Sequence, residues 1–357
     1  MSDELQALQA AQGATFEPIA DAPDADTPIA LSYGNDVVAL EAVQSGVTVC
    51  DRSHWGRIQV VDADRLRYLH NQSTNDFNSL KPGQGCDTVF VTSTGRTIDL
   101  VTAYAMDDAV LLLVSPNRRK YLMQWMDRFI FFADKVSLKD VTDTTATFSL
   151  LGPGSDALLE KLGGGAIANQ PYASHALIEL AGHPVRVAVG SGLTTSGYTL
   201  IMDAADAAPV WKALAEAGAV PLGATVWEQL RIQQGRPAPD RELTEDINPL
   251  EAGLWQTISL SKGCYIGQET IARLHTYRGV KQQLWGIRLN APAELGSPLM
   301  AGDEKVGTLT SLTQTPDGIL GLGYIRTKAV EAGLQKIKTG DSEGELVAVP
   351  FVSHEYI

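Results

Sequence analysis

Lys262-Gly263-Cys264-Tyr265-Ile266-Gly267-Gln268-Glu269 is the stretch of this chain best equipped for chemistry. Its thiol follows a glycine, stands two residues after a lysine, and lies where a loop gives way to the helical run Thr270-Ile271-Ala272-Arg273-Leu274. The thiolate is the reactive form of cysteine, and a nearby cation or a helix N-terminus stabilises it. Lys262 offers the first and the following helix the second. Gly263 and Gly267 allow turns that residues with a Cβ resist. Free cysteine is usually a small apolar filler, but a lysine, two glycines, a glutamine and a glutamate make poor core material around Cys264. Cys50, between Val49 and Asp51, and Cys86, before Asp87, keep the filler reading.

Two tryptophans form a second candidate group. Trp55 lies at the start of a strand, and Trp227 stands four residues before Arg231, so the two share a helix face. Indoles can stack on a flat heterocycle while an arginine pairs with a ligand carboxylate. Core packing is the ordinary use of tryptophan, and the residues alone leave both readings open.

The elements that must position these groups follow from the patterning. Asn35 suits the N-cap of a helix to Gln44 closed by Gly46, and Gly56 to Val60 alternates as a strand. Asp62 can cap a helix bearing Leu66 and Leu69, and residues 72–85 read as a long loop. Three strands (86–93, 96–106, 109–115) meet through tight turns, and a helix over 117–130 carries Leu122, Met123, Trp125, Met126 and Phe129 as core. A strand at 146–151 runs into a helix to Leu162; strands near 176–180, 184–189 and 197–202 precede helices at 206–217 and 225–234. Strand pairs joined by turns rather than helical crossovers favour antiparallel α+β architecture. Beyond residue 281, short strands at 284–289, 305–311, 319–325 and 346–352 predict a small C-terminal β-barrel domain. Residues 1–30, with six acidic side chains and no Lys or Arg, read as a disordered extension, which leaves residues 31–280 as the core and 281–357 as the barrel domain.

Composition narrows the function classes. The 357 residues suit two or three core-forming units, and 44% hydrophobic with 20% charged residues is ordinary for a soluble protein. Three scattered cysteines argue against a disulfide framework and cannot by themselves ligate an iron–sulfur cluster. No signal sequence or membrane span is evident, so a cytoplasmic location without a membrane partner is expected. A net charge of −14 disfavours direct nucleic-acid binding. A local basic spot runs through Arg231, Arg236, Arg241, Lys262, Arg273, Arg278, Lys281 and Arg288 and suits a small polyanionic ligand or a solvated face. Gly163-Gly164-Gly165 lacks a dinucleotide-site context, and the six histidines show no metal spacing. Glu242, Glu245 and Asp246 read as a solvated acidic run.

The octet fits K-G-C-[YF]-x-G-Q-E and resembles the YgfZ family, tetrahydrofolate-binding relatives of the glycine-cleavage T-protein. The resemblance continues through Leu230-Arg231-Ile232, Gly235-Arg236-Pro237, Pro249 to Leu254, Ile271-Ala272-Arg273 and Tyr277-Arg278-Gly279, and upstream through Asp51-Arg52-Ser53 and Leu151-Gly152-Pro153. It implies a three-lobed α+β fold with antiparallel sheets around a folate-sized opening, plus the barrel. It also implies tetrahydrofolate or a one-carbon derivative as cofactor, held by Trp55 and Trp227, with Arg231 and the cations at 273–281 toward the glutamate tail. Cys264 with Lys262 would be the functional centre, supported by Gly263, Tyr265, Gly267, Gln268, Glu269, Arg273 and Arg278. The implied role is support of iron–sulfur client enzymes, such as tRNA-modifying methylthiotransferases, or of cluster-assembly proteins.

Two departures from the T-protein pattern bear on catalysis. The acidic pair of the aminomethyltransferases is reduced to Ile98-Asp99-Leu100, and Leu193 to Tyr198 puts Thr195 where a glutamate would hold the pterin. A threonine cannot present a bidentate carboxylate to N–H donors. Turnover as an aminomethyl or other one-carbon transferase, with Asp99 at the reacting nitrogen, is therefore the alternative rather than the main expectation. The third reading is a binding module with an inert Cys264.

Overall fold

The computed structural model describes residues 3–18 and 28–356, and the chain divides into two compact units. The first comprises residues up to Leu69, Phe77–Asp87 and Val101–Trp227; the second comprises His70–Asp76, Thr88–Leu100 and Glu228–Ile357.

In the first unit a six-stranded sheet has the order His175–Leu180, His183–Val189, Gly197–Asp203, Thr145–Leu151, Thr48–Asp51, Val220–Leu222. Every pairing is antiparallel except the last, where Val220–Leu222 runs parallel to Thr48–Asp51. Its core gathers Phe148, Leu150, Leu200, Trp211 and Leu214, all essentially inaccessible to solvent. A five-stranded sheet has the order Gly85–Val91, Thr97–Ala105, Ala109–Val114, Gly56–Val61, Ser137–Asp140. Its strand Ala109–Val114 is apolar and buried along its whole length, as a strand covered on both faces must be.

The acidic N-terminus departs from expectation. Asp3–Ala11 is a helix and Thr15–Glu17 pairs with Ile29–Ser32. Leu5 is fully buried in the first core, Gln9 donates to Asp51 at 2.9 Å, and Trp211 Nε1 donates to Gln12 Oε1 at 2.8 Å. Acidic, alanine-rich composition concealed a helix that a single buried leucine and two amide contacts anchor. Residues 19–27 of the expected extension lie outside the described residues.

The barrel is closed by six strands in the order Gln282–Leu289, Gly318–Arg326, Glu304–Thr315, Pro298–Ala301, Lys336–Thr339, Ser342–Val347. Ile287, Leu299, Leu309 and Ile325 fill its interior. It belongs to a larger unit than the expected 281–357: Ile232, Leu243, Leu250, Trp255 and Ile271 share a core with barrel residues Leu284, Leu322 and Tyr324. Pro298–Ala301 and Lys336–Thr339 are too short and too solvent-exposed to stand out in the sequence.

Candidate functional site

In the second unit the octet is laced to residues 70–75. Ser259 N donates to Thr74 O at 3.0 Å, Thr74 Oγ1 donates to Thr257 O at 2.8 Å, and Ile266 N donates to Asn71 O at 3.0 Å. Lys262 is buried, and its Nζ donates to the carbonyls of His70, Ser73 (2.6 Å) and Asn75 (2.7 Å). An ammonium has three N–H donors, so these carbonyls use all of them. Lys262, expected as a nearby cation for the thiol, thus also holds the octet to residues 70–75. The ammonium also lies 4.6 Å from the ring centroid of Tyr265, whose phenol burial pushes up to about 12.

Gly267 caps the helix Gln268–Thr276 at φ +82°. A Cβ there would come within 2.7 Å of Thr92 O and 2.8 Å of Val91 Cγ2. The turn therefore accepts glycine alone, and Gln268 and Glu269 begin the helix it caps. Cys264, three residues before that cap, is exposed. The nearest atom to a Cβ built on Gly263 would be His70 Nε2, at 3.9 Å. His70 is itself buried, with Nδ1 2.9 Å from Asp76 Oδ1; burial, then Lys262, lowers its pKa against the opposing pull of Asp76. No sequence spacing marks His70 as a neighbour of the octet, because nearly two hundred residues separate them. Arg273, Arg278 and Lys281 are exposed, and the Arg278 guanidinium lies 5.4 Å from the ring centroid of Tyr356.

Arg231 is placed otherwise than expected. Its Nε and one Nη donate to the two oxygens of Glu228 at 2.7 and 2.6 Å. That second Nη also donates to Ser311 Oγ at 2.9 Å; the first donates to Arg236 O at 2.8 Å and Glu242 Oε2 at 2.9 Å. All five guanidinium donors are engaged, and the residue is 3% exposed. Arg231 therefore has no donor left for a ligand carboxylate. Glu242, expected on a solvated face, is fully buried and also accepts from Ala238 N, Thr310 Oγ1 and Ser311 Oγ. With Arg231, Arg236 and Lys262 all buried, the basic spot contracts to its exposed members.

In the first unit Trp55 and Trp227 come together, edge to face, with centroids 6.4 Å apart. The Arg52 guanidinium lies 3.8 Å from one ring centroid and 4.5 Å from the other. Both indoles are more than nine-tenths buried, so one cation covers a face of each and they form a wall rather than an open platform. Arg52 Nη1 donates to Ser149 Oγ and to Ser191 O, tying this cluster to the 190–197 loop. In the sequence Arg52 stands within the Asp51-Arg52-Ser53 stretch of the resemblance, but an arginine three residues before a tryptophan is too common to assign it a place beside the indoles.

That loop lines a cavity of about 270 Å³ together with Asp156, Tyr172 and Tyr198. Thr194, Thr195 and Ser196 face it, and Tyr198 OH donates to Asp156 Oδ1 at 2.5 Å. Ligand clefts run from about 300 to 1,000 Å³, so this space lies just below the usual range. Asp156 brings a carboxylate to the cavity where Thr195 brings none. Asp99 is fully buried on the strand Thr97–Ala105. Among the described residues no three His, Cys, Asp or Glu side chains group as a metal site.

A mixed helix-and-sheet body with a closed six-stranded antiparallel barrel defines the architecture of the glycine-cleavage T-protein. The whole chain superposes on the aminomethyltransferase T of Bartonella henselae with a TM-score of 0.84, covering 99% of this chain and 98% of that one at 17% identity. The GCVT N-terminal domain model matches residues 29–262, and the chain belongs to that family. It is 48% identical over 327 residues to the Arabidopsis thaliana protein named "Putative transferase At1g60990, chloroplastic", covering 91% of this chain and 76% of that one. It is 29% identical over 324 residues to an aminomethyltransferase of Halalkalibacterium halodurans, covering 87% and 88% of the two chains.

Proposed function

We propose that this protein binds tetrahydrofolate or a one-carbon derivative and supports iron–sulfur enzymes through Cys264, in the manner of the YgfZ branch of its family. The observation that carries the reading is an exposed thiol on a rigidly held octet. Three carbonyl contacts from Lys262 and a glycine-only turn at Gly267 fix the segment on either side of Cys264. The fixation buries Lys262 and Tyr265 on either side and leaves the sulfur between them exposed.

The 270 Å³ cavity supports a pterin site. A pterin presents a row of N–H donors, and Asp156 is the carboxylate available to accept from them, with Thr194, Thr195 and Ser196 adding hydroxyls. The Trp55–Arg52–Trp227 wall stabilises the neighbouring loop.

The test separates the two parts of the proposal. Cys264→Ala is expected to retain tetrahydrofolate affinity by calorimetry and to fail to restore cluster-enzyme activity in cells lacking the protein. Asp156→Asn is expected to weaken tetrahydrofolate binding by about tenfold. Restoration by Cys264→Ala would remove the thiol from the mechanism. A second reading, one-carbon transfer with Asp99, draws on the aminomethyltransferase relatives. It predicts folate-dependent turnover of a methylamine-type substrate that Asp99→Ala abolishes.

A further inference from the structure

The helix Arg119–Asp127 of the first unit ends in a turn that holds two phenylalanines in water. Phe131 is 69% exposed and Phe132 109%, more than in an extended reference peptide. This turn is built rather than loose. Phe131 N donates to Asp134 Oδ2 and Asp134 N donates back to Phe131 O, both at 2.9 Å. Lys135 N donates to Asp64 Oδ2 at 2.9 Å and Asp64 N returns a bond to Lys135 O at 3.0 Å. Behind it Phe129 turns inward, its ring 4.9 Å from that of Trp125. Two reciprocal pairs of hydrogen bonds thus point adjacent aromatic rings away from the nearest core. Apolar surface is driven out of water, not into it, so a local rule is broken by an otherwise well-satisfied segment, as happens at functional sites.

Charge identifies what the tip meets. Residues 118–139 contain six basic side chains and two acidic ones, in a chain whose net charge is −14. Arg119 is occupied by Asp140 and Asp143, and Asp134 by Arg67. The exposed cations Arg128 and Lys135 stand three residues before Phe131 and three after Phe132, with Lys139 exposed beyond them. A projecting pair of rings flanked by cations matches an anionic lipid surface: the headgroup boundary is fluid enough to admit a convex tip, and cations add electrostatic attraction. Repulsion of the remaining acidic surface is screened beyond about 8 Å at physiological salt.

We propose that Phe131 and Phe132, with Arg128 and Lys135, dock this protein peripherally on anionic bilayers. No helix among the described residues is long and apolar enough to cross a membrane, and hydropathy gave no reason to expect a lipid partner. Exposure supplies the reason.

The test is co-sedimentation of the full chain with vesicles of phosphatidylcholine containing about a quarter phosphatidylglycerol, at about 0.1 M salt. Binding is expected to these and not to phosphatidylcholine alone, and to vanish at about 1 M salt, where the screening length falls to about 3 Å. Phe132→Ser is expected to reduce binding by about tenfold or more without changing the thermal transition, because the ring touches little in the free protein. Arg128→Glu with Lys135→Glu is expected to abolish it. Failure of the wild type to sediment, or equal sedimentation of Phe132→Ser, overturns the proposal. So does a concentration-dependent dimer in lipid-free sedimentation velocity that Phe132→Ser abolishes, since that assigns the tip to a second copy of the chain.

Discussion

Arg231→Met offers a sharp test of whether that residue belongs to the scaffold or to the ligand. The guanidinium is 3% exposed and gives its five donors to Glu228, Glu242, Ser311 and the Arg236 carbonyl, while Glu242 is wholly buried. Removing one partner of a buried ion pair leaves an uncompensated charge and costs about 3–5 kcal/mol. For a unit of this size each kcal/mol lowers the melting temperature by about 2–4 °C, so a fall of about 6–20 °C is expected. Arg231→Lys should fall between, since an ammonium retains the charge but loses the fork that meets Glu228 with two bonds. The assay pairs differential scanning calorimetry with tetrahydrofolate titration well below the transition. Affinity is expected to change by less than about twofold. A tenfold or greater loss of affinity with a transition shifted by less than about 2 °C would refute the structural assignment and return Arg231 to the ligand.

Three further outcomes follow from the same geometry. Gly267→Ala should lower stability in urea by about 2 kcal/mol or more, from its left-handed backbone and its contact with Thr92 O. Gly263→Ala, whose new methyl would find its nearest neighbour at 3.9 Å, should cost less than about 0.5 kcal/mol, and equal costs would contradict the argument. Lys262→Met should accelerate amide hydrogen exchange at Ile266 and Ser259, because the carbonyl lacing beside their bonds to Asn71 and Thr74 loses its donor; unchanged protection would mean the lysine is dispensable for docking the octet. Burial, then Arg186, lowers the pKa of His175 to about 4. The unfolded state therefore binds a proton near pH 6.5 that the folded state refuses, so stability falls as pH drops from about 6.5 to about 4, by about 2 kcal/mol at pH 5. Denaturation at pH 7 and pH 5 should show this loss reduced in His175→Gln.

Much of the architecture was legible locally. Strands such as Gly56–Val61 and Thr145–Leu151 carry alternating or continuous apolar runs, and the turns between them carry glycine or aspartate. Failures occurred where a local signal is weak or misleading. Asn35 and Gly46 stand at the two caps of Asp36–Ser45 as expected, but the Asn35 side chain donates to Pro221 O instead of making a cap hydrogen bond. The parallel strand Val220–Leu222 is three residues long. The helix Asp3–Ala11 is acidic and alanine-rich, and only its contacts distinguish it from a tail.

What the sequence alone determined was that a thiol stands in a glycine-bracketed octet at a helix start, and that the chain is an α+β body with a C-terminal barrel. Residue type and spacing suffice for both, since they depend on backbone permission and periodicity. What only the tertiary structure decided was the use of each charge. Lys262, Arg231 and Glu242 look like surface or ligand-binding groups in one dimension, but Lys262 gives its donors to carbonyls of residues 70–75, and Arg231 and Glu242 close on each other and on Ser311, which consumes their hydrogen-bonding capacity. Phe131 and Phe132 follow a helix read as core in one dimension and stand in water in three. A side chain's desolvation and donor count depend on which remote backbone arrives beside it, and no local pattern encodes that arrival.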